Sequence, residues 1–327
     1  MIWEKQQVVF RAVLDRYKAQ VPVALLFVLE SKGSSPGRTG FCMLADALGG
    51  LLGSIGGGMM EHKLVETARA FLEGKRPEIT VFQQIHSKKS PRNQSGMICS
   101  GEQTVWIRIV DELDACAMGL FLAGLENAEP LFLEFGPEGI SCSSNHSYSP
   151  LGFSFSSETR WKFGLKAQSK ERIYLAGGGH CALSLSRLLD WLGYEIVILE
   201  TRPDLNTLSQ NTWAKEVRLL NDYSEISAAL PDSEEVILIA MTFGYRTDDQ
   251  VIRAVKDRRF RFLGLLGSKA KIQQMMDSYR QEGWDPDWLS QIHAPVGLPI
   301  MSQTPEEIAV SISAQLIREF RLAQNQR

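Results

Sequence analysis

The chain is 327 residues long, 44% hydrophobic, and carries a formal charge of −3 from 35 basic and 38 acidic side chains. At about 150 residues per domain the length predicts two domains, each apolar enough to bury its own core, and the balanced charge supplies no basic field, so no nucleic-acid partner is expected. Cys42, Cys99, Cys116, Cys142 and Cys181 form an odd set without CxxC spacing, which argues against a disulfide framework or zinc knuckle and fits reduced thiols in a cytosol.

From residue 1 to 20, Trp3, Phe10, Val13, Leu14 and Tyr17 alternate with charges, predicting an amphipathic helix rather than a signal peptide. No apolar run approaches the roughly 18 residues of a membrane span, so a cytoplasmic protein with no membrane partner is expected. Val23 to Leu29 reads as a strand covered on both faces, and Phe41–Ala45 with Leu51–Ile55 as a hairpin around 46–50. A helix follows from about Met59 to Gly74, then strands at 79–85, 104–110 and 131–135, with a helix at 114–125. Ser, Asn, Gly and Pro accumulate over 141–157 and a polar stretch follows, predicting a domain over 1–157 and a linker over 158–170. Beyond it, strands at 173–176, 195–199, 217–220, 235–241 and 260–266 alternate with helices at 181–192 and 248–256, and the chain closes on a Thr304-Pro305-Glu306-Glu307 capping box. The expected fold is α/β: a C-terminal Rossmann-type doubly wound parallel sheet over 171–327, joined to an N-terminal mixed α+β domain.

Two glycine loops, Gly53-Ser54-Ile55-Gly56-Gly57-Gly58 and Gly177-Gly178-Gly179-His180, each follow a strand and open a helix, where backbone N–H groups gather for an anion. The second fits GxGxxA, with Glu200 ending the next strand where ribose hydroxyls of a dinucleotide would be held. Glycine there also serves plain strand-to-helix packing, and Arg202 is suited either to a 2′-phosphate or to pairing with Glu200. The helix dipole at Cys181 lowers a thiol pKa, but a small apolar packing role is the simpler reading. His180 is presented toward the ligand cleft. At another strand end, Ser268 is a candidate N-cap and Lys269 and Lys271 are candidate anion contacts, with solvated surface lysines the alternative.

In the first half, Arg38, in the loop with Ser34 and Ser35, is a candidate phosphate clamp or an ordinary exposed arginine. Glu61 lies in the first turn after Gly56, Gly57 and Gly58, where a carboxylate suits the dipole with or without a catalytic duty. Cys99, in Gly96-Met97-Ile98-Cys99-Ser100-Gly101-Glu102, is a loop thiol able to approach a ligand, carry sulfur or simply pack.

Seven ordered segments resemble the xanthine dehydrogenase accessory protein family (XdhC/CoxI): GSSPGRTGFCML at 33–44, GSIGGGMME at 53–61, GMICSGE at 96–102, IYLAGGGHCALSL at 173–185, GLLGSKAK at 264–271, HAPVGLPI at 293–300 and TPEEIAVSI at 304–312. The resemblance implies a homodimeric chaperone with no catalytic activity of its own. Such a protein binds the molybdenum cofactor (molybdopterin), assists its sulfuration and passes it to a xanthine dehydrogenase-type molybdenum hydroxylase subunit. It further implies Cys99 as the sulfur or molybdenum contact and a cofactor cleft between the two domains. Two departures mark a divergent member: Ser100 stands in the family's Cys-Gly-Gly, and Phe243 and Tyr245 replace both histidines of a Thr-His-x-His-x-x-Asp pattern running from Thr242 to Asp248. The alternatives are an NAD(P)-dependent oxidoreductase on the same fold, with His180, Tyr245 or Lys269 as proton donor, and a non-catalytic partner-binding paralogue.

Overall fold

The computed structural model describes residues 2–75, 80–86, 101–127, 131–144, 152–157, 159–166 and 170–325. The chain forms two compact units, Met1–Ser169 and Lys170–Arg327.

The first unit begins with helix α1 (Ile2–Lys18), followed by strands β1 (Val23–Gly33), β2 (Cys42–Asp46) and β3 (Leu51–Gly53), helix α2 (Gly58–Leu72), and strands β4 (Val81–His86) and β5 (Gly101–Ile109). The five strands pair in the order β3-β2-β1-β5-β4, with β1 antiparallel to both neighbours. The central position of β1 explains its unbroken apolar run. Leu25, Phe27 and Leu29 enter one core, while Ala24, Leu26 and Val28 enter another, under Leu64, Val65, Ala68 and Phe71 of α2. Each fully buried side chain of this kind contributes about 1.5–3 kcal/mol, so the two-sided burial holds β1 in register.

Helix α3 (Glu112–Glu126) leads into a four-stranded sheet of β6 (Phe132–Gly136), β7 (Gly139–Ser143), β8 (Gly152–Ser157) and β9 (Arg160–Lys166), in the order β7-β6-β9-β8. Asp111 caps α3, its side chain accepting from the Asp114 N–H while Asp114 returns a bond to the Asp111 N–H. An aromatic cluster joins the two sheets: Phe27 stacks on Phe135 at 4.6 Å, and Trp106 meets Trp161 edge-on at 5.5 Å. The linker expected over 158–170 is therefore corrected, because most of it is β9. Trp161 and Phe163 point into the core while Arg160 and Lys162 stay exposed, an alternation that the polar composition of the stretch hid.

The second unit holds β10 (Arg172–Ala176), α4 (His180–Trp191), β11 (Glu195–Glu200), α5 (Asn206–Gln210), β12 (Glu216–Leu219), α6 (Ile226–Ala229), β13 (Ile237–Ala240), α7 (Tyr245–Ala254), β14 (Phe262–Leu265), α8 (Lys269–Gln281), α9 (Pro286–Ser290), β15 (Ile292–His293) and α10 (Pro305–Asn325). All six strands run parallel in the order β12-β11-β10-β13-β14-β15. The order reverses at β10, creating a switch point between β10 and β13. Both faces are covered: Ile173 and Leu175 pack with α4 and α10, while Tyr174 and Ala176 pack with α7 and α8. Thr304 and Glu307 form the capping box of α10, through reciprocal bonds of 3.2 Å. Among the described residues no helix is long and apolar enough to cross a membrane.

Candidate functional site

In the first unit, the loop after β1 and the loop after β3 lie against each other. A Cβ on Gly37 would stand 2.2 Å from the Ile55 carbonyl oxygen, and one on Gly56 would stand 2.5 Å from the Gly37 nitrogen. Only a backbone without side chains permits this approach. Three buried polar side chains weld the pair. Gln103 Oε1 accepts from Ser35 Oγ at 2.8 Å and from the Gly37 N–H at 3.1 Å, while Gln103 Nε2 donates to Gln84 Oε1 at 2.7 Å. Ser35, Gln84 and Gln103 are all at most 4% exposed. This network has no counterpart in the sequence reading; its only signal is glutamine inside two apolar strands.

Glu61 has a definite task. Its Oε2 accepts from Ser54 Oγ at 2.7 Å, the Ile55 N–H at 2.8 Å and the Gly57 N–H at 3.0 Å. The chain's own carboxylate thus takes up two of the amides nominated for an outside anion, a correction to reading the 56–58 glycines as a freely offered cradle. Gly56, Gly57 and Gly58 all adopt positive φ, at 131°, 77° and 72°. Arg38 is exposed, donates to the Gly33 carbonyl at 3.1 Å and makes no ion pair among the described residues, leaving its charge for a ligand. Ser34 is also exposed beside it. Cys99 lies outside the described residues. Gly101, two residues on, rests against the Ser34-Ser35 backbone, where a Cβ would stand 2.5 Å from the Ser35 nitrogen.

The second unit brings Gly177, Gly178, Gly179, His180, Glu200 and Arg202 together at the switch point. Glu200 is completely buried. Its Oε2 accepts from the Gly178 N–H at 2.8 Å and Arg202 Nη2 at 2.9 Å; its Oε1 accepts from the Thr201 and Arg202 N–H groups, Arg202 Nε and Tyr223 OH. Burial alone would raise the Glu200 pKa, but the Arg202 guanidinium and the three amides override it and hold the carboxyl down to about 2. A carboxylate so saturated has no lone pair for ribose hydroxyls. Arg202 is likewise committed: it grips Glu200 and lies 4.2 Å from the Phe243 ring centroid. The sequence expectation of Glu200 as a ribose contact is therefore corrected, and of the two readings of Arg202 the structure takes the pairing.

Gly178 is hemmed in as well, since a Cβ there would meet Leu208 Cδ2 at 2.5 Å, and Thr207 Oγ1 donates to its carbonyl at 2.5 Å. Gly179 faces open space and caps α4 without a side-chain bond, so the first amides of that helix are available beside the exposed His180. The Cys181 thiol is pushed up by burial and by the negative charge of Glu306, opposite to the lowering expected from the helix dipole.

Across the switch point, Asp248 is buried and accepts from the Thr242 N–H at 2.9 Å and Thr242 Oγ1 at 2.7 Å, and is paired with Lys271. Lys271 also donates to the Leu266 carbonyl at 3.0 Å, so it is not a free anion contact. Lys269 is exposed and without an ion pair among the described residues, and Ser268 caps α8 by accepting from the Lys271 N–H. Phe243 is 62% exposed and Tyr245 37% exposed, at the positions of the missing histidines. His293 is structural: its ring stacks on Phe262 at 4.4 Å, Gln315 binds its Nδ1 at 3.2 Å, and burial lowers its pKa. Among the described residues no cluster of His, Cys, Asp and Glu could hold a metal ion.

With this geometry established, likeness to known proteins becomes informative. Residues 173–316 match the XdhC Rossmann domain, and residues 17–83 match the XdhC and CoxI family. The uncharacterized protein YqeB of Escherichia coli (strain K12) is 23% identical over 302 residues, which cover 91% of this chain but 43% of YqeB, so the chain spans less than half that relative's length. A probable xanthine dehydrogenase subunit of Bacillus subtilis (strain 168) is 23% identical over 330 aligned positions, covering 94% of this chain and 97% of that protein. A crystal structure from Bacillus halodurans, described as a xanthine dehydrogenase, superposes with a TM-score of 0.73 at 22% identity over 95% of both chains, a shared fold. The two family matches fall one in each unit, around the paired loops of the first and the parallel sheet of the second: the chain belongs to the XdhC and CoxI family.

Proposed function

We propose that this protein is a cytoplasmic accessory chaperone that binds the molybdenum cofactor, assists its sulfuration and delivers it to a xanthine dehydrogenase-type molybdenum hydroxylase. Family membership supports the hydroxylase connection, as do the names of the Bacillus subtilis and Bacillus halodurans proteins. The observation that carries the choice of ligand is Glu200. A dinucleotide site needs a carboxylate with free oxygens at the end of the second strand, whereas this one is buried and bonded to the Gly178 amide, Tyr223 and Arg202. This disfavours an NAD(P)-dependent oxidoreductase. What remains open is chemistry for a compact anion: the uncapped amides of α4 next to His180 in one unit and, separately, the exposed cations Arg38 and Lys269, which make no ion pair among the described residues. A pterin phosphate and an oxyanionic metal centre are ligands of that kind. In this reading the chain's residues bind and orient the cargo, Arg38 neutralises phosphate charge, and Cys99 is the sulfur or molybdenum contact.

The exposed Phe243, set where the family carries histidine, favours a second reading, a paralogue that binds a hydroxylase partner without cofactor. Acid oxidation of protein purified after expression with molybdate separates the readings. Pterin fluorescence retained by the wild type and diminished severalfold in Arg38→Ala supports the chaperone, with unfolding midpoints unchanged because the Arg38 side chain is exposed. Absence of pterin, together with tight calorimetric binding of NAD(H) or NADP(H), would overturn it.

A further inference from the structure

One face of the five-stranded sheet in the first unit changes character along β5. Trp106 stands opposite Val81 of β4, and both join the aromatic core against the second sheet. Two residues earlier on the same face, Thr104 stands between Gln83 of β4 and Glu30 of β1, its partners in register. A cavity of about 420 Å³ opens here, lined by this polar row, by Lys32 and, from β8, by Phe153 and Phe155. Its volume is that of a small-molecule site. Thr104 is only 8% exposed, yet its hydroxyl neither donates nor accepts a hydrogen bond among the described residues. A buried hydroxyl left unpaired is costly and therefore rare. The Gln83 amide is uncommitted as well, whereas Gln84 and Gln103, on the opposite face, are bonded to each other. Across the cavity Phe153 and Phe155 lie side by side, their centroids 5.8 Å apart and their planes inclined by 34°. Glu30 and Lys32 pair at 3.0 Å, so the rim carries no net charge.

We propose that this cavity binds a flat, uncharged oxo-heterocycle with a lactam edge, the chemistry shared by guanine-type bases and pterins. Each wall selects one property of the ring. The two phenylalanines offer a platform for its π face. The Gln83 amide matches a lactam, its C=O accepting from the ring N–H and its NH2 donating to the ring C=O, and the Thr104 hydroxyl supplies a further donor or acceptor for the same edge. The balanced rim favours a neutral ring, since neither a cation nor an anion finds an unpaired countercharge there. The cavity is argued from β1, β4, β5 and β8 alone; only its pterin form rests on the cofactor reading given above.

Isothermal calorimetry on the full-length chain tests this, with guanosine and 6-hydroxymethylpterin as probes. At least one should bind with a dissociation constant at or below about 100 µM. Phe155→Ala should weaken that binding about tenfold or more, and Thr104→Val about three- to tenfold. Both variants should fold: Phe155 is 52% exposed, and Thr104→Val removes an unpaired hydroxyl from a strand that favours branched side chains, so its melting temperature should hold or rise. Tighter binding of guanosine identifies a nucleobase as the ligand and tighter binding of the pterin the cofactor's own ring; either one, weakened by both substitutions, supports the site. Failure of both probes at about 1 mM overturns the proposal, as does binding that both variants leave unchanged. The cofactor reading is tested apart from this one. Pterin that copurifies with the protein while neither probe binds would uphold the chaperone and remove the cavity, whereas guanosine binding unaffected by Arg38→Ala in protein free of pterin would do the reverse.

Discussion

Replacing Glu200 by Gln tests the reading of the second glycine loop most directly. The side chain keeps its shape, but an amide NH2 must replace one carboxylate oxygen. If it replaces Oε2, it faces the Gly178 N–H and Arg202 Nη2, which both need an acceptor. The buried Gly178 amide then goes unsatisfied, at about 1–3 kcal/mol, and the charge-assisted bonds from Arg202 fall to neutral strength, at about 1–2 kcal/mol more. Arg202 is 36% exposed, so water recovers part of its share, and the expected loss is about 3 kcal/mol. Urea unfolding followed by tryptophan fluorescence measures it. Glu216→Gln is the control: it weakens a partly exposed, two-residue-apart pair with Arg218 and should move the midpoint far less. The sign of the pH dependence also follows. Because folding lowers the Glu200 pKa to about 2, its stabilisation is complete above the ordinary carboxylate range and is lost as pH falls through the interval from about 4.5 to about 2. The gap between wild type and Glu200→Gln should therefore be widest near neutrality and close over that acid interval. A gap under about 1 kcal/mol at pH 7, or one that persists unchanged to pH 2, would refute the saturated-carboxylate account.

Three further outcomes are expected. Gln103→Leu removes the acceptor shared by Ser35 and Gly37 and the donor to Gln84, so thermal unfolding of the first unit should show a loss of about 2–4 kcal/mol; a change within error would mean that the glutamine network does not hold the loops. Gly37→Ala should be more damaging than Gly57→Ala, because the first drives a Cβ into the Ile55 carbonyl while the second meets open space and bears only the strain of a positive φ with extended ψ, about 1–3 kcal/mol; equal melting temperatures would contradict the loop contact. Lys271→Met leaves the fully buried Asp248 without its cation and should cost about 3–5 kcal/mol by chemical denaturation, with Asp248→Asn in the Lys271→Met background recovering part of it; a neutral single variant would show that Thr242 alone satisfies Asp248.

Much of this molecule was written locally. The strands β1, β10, β11 and β13 are legible because each is buried on both faces and must be apolar throughout, and the Thr304-Pro305-Glu306-Glu307 start of α10 declares itself through the donors it satisfies within one turn. Glycine triplets marked both loops, and a positive φ requires glycine at 56, 57, 58 and 177. The strand β9 escaped notice because only Trp161 and Phe163 face inward, among polar neighbours.

The roles of the polar residues depended on distance rather than on pattern. Glu200 stands at the expected strand end, yet what it does is decided by Gly178, Arg202 and Tyr223, which folding delivers from both sides in the sequence. Lys271 resembled Lys269 until Asp248, 23 positions away, claimed it. Residue types and their periodicity, set by local backbone geometry, determined the two folds and where amides cluster; whether a carboxylate or cation in those clusters is free for a ligand was settled only by tertiary structure, because a hydrogen bond is exclusive and its partners come from remote parts of the chain.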